Sequence, residues 1–522
     1  MSVGPLFADE TGPAEQGTET QIEADARTEG GGKADGASDD AAAGEEIVYT
    51  LITLGDQAIG LTTTALRETE SRRFIRETMQ MQVNRFGQTF EMSSTTNIVD
   101  RLDGQIETAD LQMLNNGTVA QKLSAVREPA AASGGSELVV TQKVAGQDKV
   151  TRLPLPEGVV SSYELAQRME EPLEEGEVRT FTTVSLETLS TPTVTCTGLG
   201  EVEVEDRDGT LQRWIGTKVE RSDLPIATNV YTMPDGEGGW ELARVDLGVL
   251  GMVGWPTTLE DAAAALDRST ADLGFATVVR ANLGPALHDQ KQAKLLVKGL
   301  ASDLPSSVDQ IVEPIGDAAA LQVTRRRVDP RWFPGRGEAE PAATASTRFL
   351  DYEDETVQQL LAAAPQGGEN VGQAAAELAA FVRESIDTVS YGVGFATASE
   401  TCRSREGDCS EHAVLLAALL RARGIPSRVA FGLVYVGRDQ TYVPHMWSEA
   451  RLTTPKGTSV WVPLDATRPT RPVGAGYLTF GHSLLESDAP LAILELIELS
   501  QSLGTLSVEP VAAAGSEAAE GR

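Results

Sequence analysis

Hydrophobic and polar residues alternate along much of the first half of the chain. In residues 78–83, Met79, Met81 and Val83 fall on one side of the segment. An alternation with a period of two is typical of a strand that buries one face. Further strands are predicted at 109–114, 137–144, 149–153, 178–186, 193–204, 212–220 and 228–233. A short helix is predicted at 161–170. We therefore predict an antiparallel β domain over residues 47–275, built as a curved sheet or an open barrel.

Asn-Gly and Asp-Gly pairs separate several of these strands and predict tight hairpin turns. One of them, Asn116-Gly117, is followed by Thr118 and so also forms a glycosylation sequon. A hairpin turn is the simpler interpretation of this position, because strands are predicted nearby.

The second half of the chain turns from alternation to helical spacing. A small β segment followed by a Pro- and Gly-containing linker is predicted over residues 276–344. The triplet Arg325, Arg326 and Arg327 in its last strand is interpreted as an ion-pair partner or a solvated edge, with a substrate carboxylate site as the alternative. Helices are predicted at 353–363, 371–386 and 410–423, and residues 486–522 are predicted to hold a last helix at 491–503, a strand at 506–511 and a tail.

The helix predicted at 410–423 is the most informative of these elements. Residues 413–420 are apolar on every side, which indicates a helix buried all round, and Gly424 with Pro426 marks its end. Cys409 stands at the start of this helix, where the positive end of the helix dipole favours a thiolate. The rigid, buried helix and the electrostatic field of its dipole together make Cys409 a candidate nucleophile.

The segment after this helix supplies the other two groups that a thiol nucleophile needs, a base and a group that orients the base. Strands are predicted at 428–436, 445–452 and 460–466, with a turn over 453–457. Folding the last two strands about Pro455 places His445 opposite Asp465. Facing residues of antiparallel strands lie about 5 Å apart at Cβ, so these two side chains are predicted to touch.

Three motifs in this region resemble those of the transglutaminase-like superfamily, which has a papain-related fold. They are GDCSEHA at 407–413, HMWSEA at 445–450 and WVPLDAT at 461–467. The resemblance covers roughly residues 345–485 and implies an α+β catalytic domain in which a buried nucleophile helix packs on an antiparallel sheet. It implies acyl transfer through a thioester on protein or peptide amides, with Cys409 as nucleophile, His445 as general base and acid, and Asp465 as orienting group. Peptidase, deamidase and crosslinking directions stay open.

Aromatic residues near the three motifs are candidates for the substrate cleft. Trp447 shares a strand face with His445 and either forms a cleft wall or fills the core. Tyr391 and Tyr442 are predicted to line the mouth of the cleft.

Neighbouring polar residues have simpler interpretations. His412, one turn into the helix, is assigned a structural role together with Glu411, bonding the neighbouring loop. Cys402 either packs in the preceding segment or forms a reversible disulfide with Cys409. Glu449 is the alternative orienting group if Asp465 is not one.

Two other classes of function were weighed against an enzyme. Cys402, Cys409, His412 and His445 can be read as zinc ligands, but their spacing is unusual and leaves Asp465 without a role. A catalytically silent peptide-binding or scaffold protein with the same fold is the stronger alternative. We expect no metal or other cofactor. Calcium in particular is not expected, because the sequence near the core lacks the ligand spacing of a calcium loop.

Composition limits the partners of this 522-residue chain. A net charge of −34 and a pI near 4.5 argue against nucleic acid and anionic membranes as partners. Three cysteines are too few for a disulfide framework, and a membrane insertion is not expected. Residues 1–46 are acidic and predicted to be disordered. A cytoplasmic location is the default, or export if the true start lies upstream; the oligomeric state stays open.

Overall fold

A computed structural model describes residues 45–85, 87–130, 135–144, 147–169, 171–272, 274, 277–315, 320–391, 395–488, 499 and 502–511. From Gly44 onward the chain forms one compact unit. Nearly all of the segment predicted to be disordered, and most of the helix predicted at 491–503, lie outside the described residues. The predicted domain boundaries at 275, 344 and 485 stay predictions.

The first part of the described chain is a large antiparallel sheet. Its fourteen strands within the described residues are β1 Glu46–Leu54, β2 Gln57–Glu68, β3 Arg72–Arg85, β4 Gln88–Arg101, β5 Ile106–Asn115, β6 Thr118–Pro129, β7 Ser136–Val144, β8 Gln147–Leu155, β9 Val178–Thr182, β10 Thr193–Glu205, β11 Leu211–Arg221, β12 Ala227–Pro234, β13 Trp240–Asp246 and β14 Met252–Thr257. Strand β1 pairs with both β2 and β14, so the spatial order runs from β8 through β1 and β14 to β9. The predicted antiparallel β domain is confirmed, and the strand order among the described residues is that of an open sheet.

The turn between β5 and β6 shows how the sequence sets the meander. Asn116 and Gly117 have positive φ values of 47° and 74°. Two consecutive residues with φ above zero form the hairpin turn whose twist matches that of the flanking strands, and Asn-Gly tolerates it best. The hairpin interpretation of this sequon is confirmed.

Two short helices pack beside the large sheet: α1 Ser162–Arg168 and α2 Leu259–Asp267. The hydroxyl of Ser161 accepts the N–H of Glu164, and the hydroxyl of Thr258 accepts the N–H of Asp261. Such N-caps satisfy donors that the first turn of a helix leaves free. They explain why both helices begin where they do.

The second part of the chain combines helices with smaller sheets. Its helices are α3 Glu355–Ala363, α4 Val371–Ser385, α5 Ala398–Ser404 and α6 Cys409–Ala422. Its strands are β15 Val279–Arg280, β16 Gln292–Lys298, β17 Gln310–Pro314, β18 Ala320–Arg326, β19 Gly335–Arg336, β20 Thr388–Val389, β21 Glu406–Gly407, β22 Ser427–Val436, β23 Thr441–Thr453, β24 Ser459–Leu464, β25 Tyr477–Ser483 and β26 Ser507–Pro510. Short 3-10 helices occupy Leu287–Asp289, Pro330–Trp332 and Pro341–Ala343.

Most of these strands belong to two antiparallel sheets. The larger one is centred on β22 and β23, with β15, β19, β24 and β25 paired to them. The smaller one has the order β17, β18, β16, β26, so the strand predicted at 506–511 closes it. A parallel pair of β20 and β21 leads into the start of α6.

Helix α6 lies at the centre of this second part. Every residue from Ala413 to Leu420 is buried, and the helix packs on β22 and β23 with α4 and α5 beside it. The predicted all-round burial is confirmed. The N-terminus of α6 therefore meets β23, the strand that carries His445.

The structure differs from the predictions in two segments. Within the predicted linker, Gly335 and Arg336 form β19 and pair with Thr453 and Leu452 of β23. Helix α5 lies between the helices predicted at 371–386 and 410–423, where no helix was predicted.

The Arg triplet resolves into a buried ion pair. The guanidinium of Arg325 is fully buried and donates to Asp309 at 2.7 Å, Gln310 at 2.9 Å and Thr479 at 3.1 Å. The prediction of an internal ion-pair partner is confirmed for this residue. Because Thr479 lies in β25, the pair also links the two smaller sheets.

Among the described residues, no helix has the length and apolar character needed to cross a membrane.

Candidate active site

The loop before α6 holds Cys409 in place through reciprocal capping bonds. The carboxylate of Asp408 accepts the N–H of Ser410 at 2.8 Å, and that of Glu411 accepts the N–H of Asp408 at 2.8 Å. A Cβ at Gly407 would overlap the side chain of Glu411, so glycine is needed for the close approach. The first turn of the helix is thereby fixed, and the thiol of Cys409 with it.

The thiol of Cys409 lies against strand β23. The backbone N–H of Met446, the residue after His445, donates to it. Burial and the neighbouring Asp408 raise the pKa of Cys409 well above its ordinary value, while this N–H and Arg85 act in the opposite direction. Burial thus acts against the predicted thiolate-favouring effect of the helix start. A thiol with a raised pKa depends on a base to form the thiolate.

The imidazole of His445 contacts the carboxylate of Asp465. Its Nε2 lies 2.9 Å from Oδ2 of Asp465. A buried carboxylate at this distance accepts the Nε2 proton, which leaves Nδ1 as the basic nitrogen. The predicted contact between the two side chains is confirmed.

Asp465 is held by further donors. The N–H and hydroxyl of Thr467 donate to Oδ1 at 2.8 and 2.6 Å, and the Tyr477 hydroxyl donates to Oδ2 at 2.7 Å. Burial acts to raise the pKa of Asp465, but His445 and these donors outweigh it and hold the pKa well below its ordinary value. Asp465 is therefore a fixed negative charge beside the imidazole.

The hairpin that carries the two residues has a different register from the predicted one. Ser448 pairs with Leu464 and Ala450 with Val462, so the turn is shifted toward Lys456 and the pairing of 445 with 465 is wrong. Asp465 follows the last residue of β24. Its side chain still reaches His445, because diagonal neighbours two positions apart on facing strands remain within reach.

Trp447 lies beside the imidazole and also fills the core. Its side chain is 1% exposed and packs with Ala430, Val473 and Tyr477. Its ring stacks on that of His445 with centroids 6.1 Å apart. The burial agrees with the core interpretation of Trp447, and its role as a cleft wall stays a prediction.

Tyr442 does not line the cleft, and the prediction for this residue is wrong. It is 0% exposed and packs on Tyr435 with ring centroids 5.2 Å apart. Residues 442 and 445 are an odd number of positions apart on β23, so their side chains point to opposite faces of the sheet.

Tyr391 does lie near the thiol. Its backbone N–H donates to Oε1 of Gln88 at 2.6 Å, and burial together with nearby Cys409 raises the pKa of its hydroxyl. A role in binding substrate stays a prediction for this residue.

His412 and Glu411 occupy structural positions. Nδ1 of His412 lies 2.6 Å from the carbonyl oxygen of Asp408 and donates to it, and burial lowers the pKa of the ring. Oε1 of Glu411 accepts the N–H of Ala396 at 3.1 Å, which ties α6 to the preceding loop as predicted.

The remaining candidates have other surroundings. The carboxylate of Glu449 pairs with Arg428 at 2.6 Å, away from His445. Cys402 is a free, half-buried thiol whose pKa is raised by burial to about 12. Within the ranges that the structure describes, no three His, Cys, Asp or Glu side chains group together as metal ligands.

Sequence reasoning missed Tyr477 and Arg85. Tyr477 lies in β25, whose strand pattern in the sequence is weakened by Gly481. Arg85 contacts Asp408 across 323 positions of the chain, a contact for which the sequence carries no local signal. Thr467 lies inside the third motif and could have been proposed as a local donor to Asp465.

Comparison with known proteins gives a family for part of the chain. The family model of the transglutaminase-like superfamily matches residues 358–466. A crystal structure of a provisionally assigned cysteine protease from Cytophaga hutchinsonii is similar at 16% identity and a TM-score of 0.27, over 42% of this chain and 83% of that one. A β-barrel-like protein of a domain of unknown function from Brucella abortus is similar at 10% identity and a TM-score of 0.28, over 41% of this chain and 95% of that one.

Likenesses at these identities and TM-scores carry no inference about activity. No curated protein matches the chain. The family match spans helix α6 and the hairpin of His445 and Asp465. Residues 358–466 are thus a domain of the transglutaminase-like superfamily.

Proposed function

We propose that the chain is a cysteine enzyme with a papain-like catalytic core, which transfers acyl groups through a thioester on Cys409. His445 is its general base and acid, and Asp465 orients the imidazole. The observation that carries the proposal is the 2.9 Å contact between His445 and Asp465, on the strand whose next residue, Met446, donates its N–H to the Cys409 thiol.

The groups suit a two-stage reaction on a protein or peptide amide. In the first stage the Cys409 sulfur bonds to the carbonyl carbon, its proton passes to Nδ1 of His445, and the C–N bond breaks as that proton goes to the leaving amine. In the second stage water or an amine attacks the thioester, His445 takes the proton of the attacking group, and the sulfur leaves and recovers a proton. The backbone N–H of Cys409 is the assigned oxyanion donor.

The electrostatics explain why Asp465 matters for this sequence. Because burial raises the pKa of the Cys409 thiol, formation of the thiolate is favoured when an imidazolium forms beside it. A carboxylate fixed beside the ring stabilises that imidazolium and selects the tautomer with a bare Nδ1.

The test is incubation with a glutamine-rich protein, with and without an added primary amine, followed by mass spectrometry. Deamidation, amine incorporation and backbone cleavage correspond to the deamidase, crosslinking and peptidase directions. The matched control is Cys409→Ala. A product that forms equally with this variant contradicts the proposal.

A catalytically silent peptide-binding protein of the same fold is the second candidate. The raised pKa of Cys409 favours it, since a protonated thiol is a poor nucleophile. A thiol-directed peptide electrophile separates the two candidates: the enzyme reacts at Cys409 in a manner that depends on His445, whereas the silent protein reacts at the same rate with or without that side chain.

A further inference from the structure

One hairpin of the large sheet reaches the loop that precedes the nucleophile. Strands β3 and β4 pair up to Arg85 and Gln88, where the hairpin turns. Nη2 of Arg85 lies 3.1 Å from Oδ2 of Asp408, the residue before Cys409. Three positions further on, Gln88 accepts the N–H of Tyr391 at 2.6 Å. The hairpin thus contacts two segments that border the thiol.

The partner of Arg85, Asp408, is a buried carboxylate at the start of α6. The side chain of Asp408 is 3% exposed and caps α6 through the N–H of Ser410. Its charge opposes ionisation of the adjacent thiol and, with burial, raises the pKa of Glu411 to about 7. The Asp408 carboxylate therefore stabilises the start of α6, but its negative charge opposes formation of the thiolate.

We propose that Arg85 is a positioning residue of the active site, which holds the Asp408 side chain in its capping geometry and offsets its charge beside the Cys409 thiol. This inference rests on the proposed cysteine chemistry. Its consequence is that the catalytic centre is shared: the superfamily domain supplies the nucleophile, base and orienting group, and the large sheet supplies the cation that balances the nucleophile loop.

The exposure of the pair sets the size of the effect. The Arg85 side chain is 36% exposed, so its ion pair is partly screened by water and salt. The charged groups that act on the thiol are Asp408, Glu411 and Arg85. Tyr391 lies nearby, and His445 is carried by strand β23. Removal of one cation from this set changes how readily the thiol ionises without removing its base.

The experiment measures how alkylation of Cys409 by iodoacetamide depends on pH in the full chain, with the modified peptide identified by mass spectrometry. In Arg85→Gln the profile is expected to shift to higher pH, with alkylation about three- to tenfold slower at neutral pH. Arg85→Lys keeps the charge and is expected to recover part of the loss. The matched control is Arg76→Gln on the same strand, whose guanidinium contacts Asn97 instead, and its profile should equal that of the wild type.

A second variant tests whether Arg85 acts through Asp408. Asp408→Asn keeps a capping oxygen but removes the charge, so alkylation should become faster at neutral pH. In that background Arg85→Gln should cause little further change. This comparison also remains available through Arg85→Lys if Arg85→Gln does not fold.

Two results would overturn the inference: an Arg85→Gln profile that superimposes on the wild type, or a shift of equal size with and without the Asp408 charge. Because alkylation is read at the thiol itself, it needs no substrate turnover. A failure here leaves the Cys409→Ala turnover test untouched, so the two proposals fail separately.

Discussion

The large sheet buries its apolar residues in several separate clusters, whereas the region around α6 buries most of them in one large core, with a small second cluster around Trp447. Leu111, Leu123 and Leu138 form one of the sheet clusters, and Trp214 with Trp255 belongs to another. The second core extends from α4 through α6 to β22 and β23. Each strand of the large sheet therefore packs mainly against its neighbouring strands, whereas α6 packs against several helices and strands at once.

The two regions also differ in how they bury charge. In the sheet, Asp100 is buried with a single hydroxyl donor, Ser161, and its other oxygen is unpaired. Around α6, the carboxylates of Asp465, Glu449 and Asp408 each face a cationic or ring partner. We therefore expect a polar substitution in the sheet to change stability alone, whereas a substitution of Asp465 or Asp408, which border the imidazole and the thiol, should also change reactivity.

The largest expected effect is that of Cys409→Ala, which should abolish turnover while the fold survives. Removal of one partly exposed thiol at a helix start leaves no large cavity. The matched control is Cys196→Ala in β10 of the sheet, which should keep turnover and lose about 1 kcal/mol of stability or less. Turnover and thermal unfolding of both variants check this contrast, and activity in pure Cys409→Ala would remove the nucleophile assignment.

Substitution of the two histidines near α6 should also separate an effect on turnover from an effect on stability. His445→Ala is expected to lower the turnover rate about 10²- to 10⁴-fold, as loss of a general base does. His412→Ala breaks the bond to the Asp408 carbonyl and should mainly lower the free energy of unfolding, by about 1–3 kcal/mol. Rates and urea unfolding of the pair decide the matter; the reverse pattern would move the base onto the helix.

Asp465→Asn should have a smaller effect on rate than the loss of the nucleophile. An amide can present its NH₂ to the ring and favour the wrong tautomer, so the rate should fall about 10²-fold or more. The alkylation profile of Cys409 should shift to higher pH, because the imidazolium is less stabilised.

Glu449→Gln is the matched control for this variant. Glu449 is a buried carboxylate on the same strand as His445 but is paired with Arg428, so the variant should lose stability without a change in the alkylation profile. If Asp465→Asn leaves both the rate and the alkylation profile unchanged, Asp465 is a strand-end carboxylate only.

The smallest effect on chemistry is expected in the sheet, from Asp100→Asn. Burial raises the pKa of Asp100 to about 6, above its value in the unfolded chain, so the folded state resists ionisation. The wild type should therefore lose about 1–3 kcal/mol of stability as pH rises from about 4 to about 7, and the variant should lose less. Urea unfolding across this range checks the slope, and turnover should be unchanged. A variant with the wild-type slope would contradict the assignment.

Local features of the fold were predictable from sequence. Helix α6 was placed within one residue, because an apolar run ended by Gly424 and Pro426 has few other structures open to it. The Asn116-Gly117 turn was predictable for the same reason, since few residue pairs accept two positive φ values. These signals involve only a few neighbouring residues, so they can be recognised without knowledge of the tertiary structure.

The misses have identifiable physical causes. Helix α5 begins with a capping box of Thr397 and Glu400, which is a signal that the sequence itself carries. Strand parity places Tyr442 on the face of β23 opposite to His445 and Trp447, so its position off the cleft was also predictable.

The contacts of Tyr477 and Arg85 could not be predicted. Arg85 lies 323 positions from Asp408, and Tyr477, 12 positions from Asp465, reaches it from another strand, so neither contact has a local signal in a single sequence.

The central claim is that Cys409 carries the acyl group with His445 as its base. The most direct measurement is rapid mixing with an activated aryl ester, acid quenching and peptide mass spectrometry. We predict an acyl adduct on Cys409 that forms quickly in the wild type, slowly in His445→Ala and Asp465→Asn, and is cleaved by hydroxylamine as a thioester is. An adduct on another residue, or equal rates on Cys409 in all three proteins, would contradict the account.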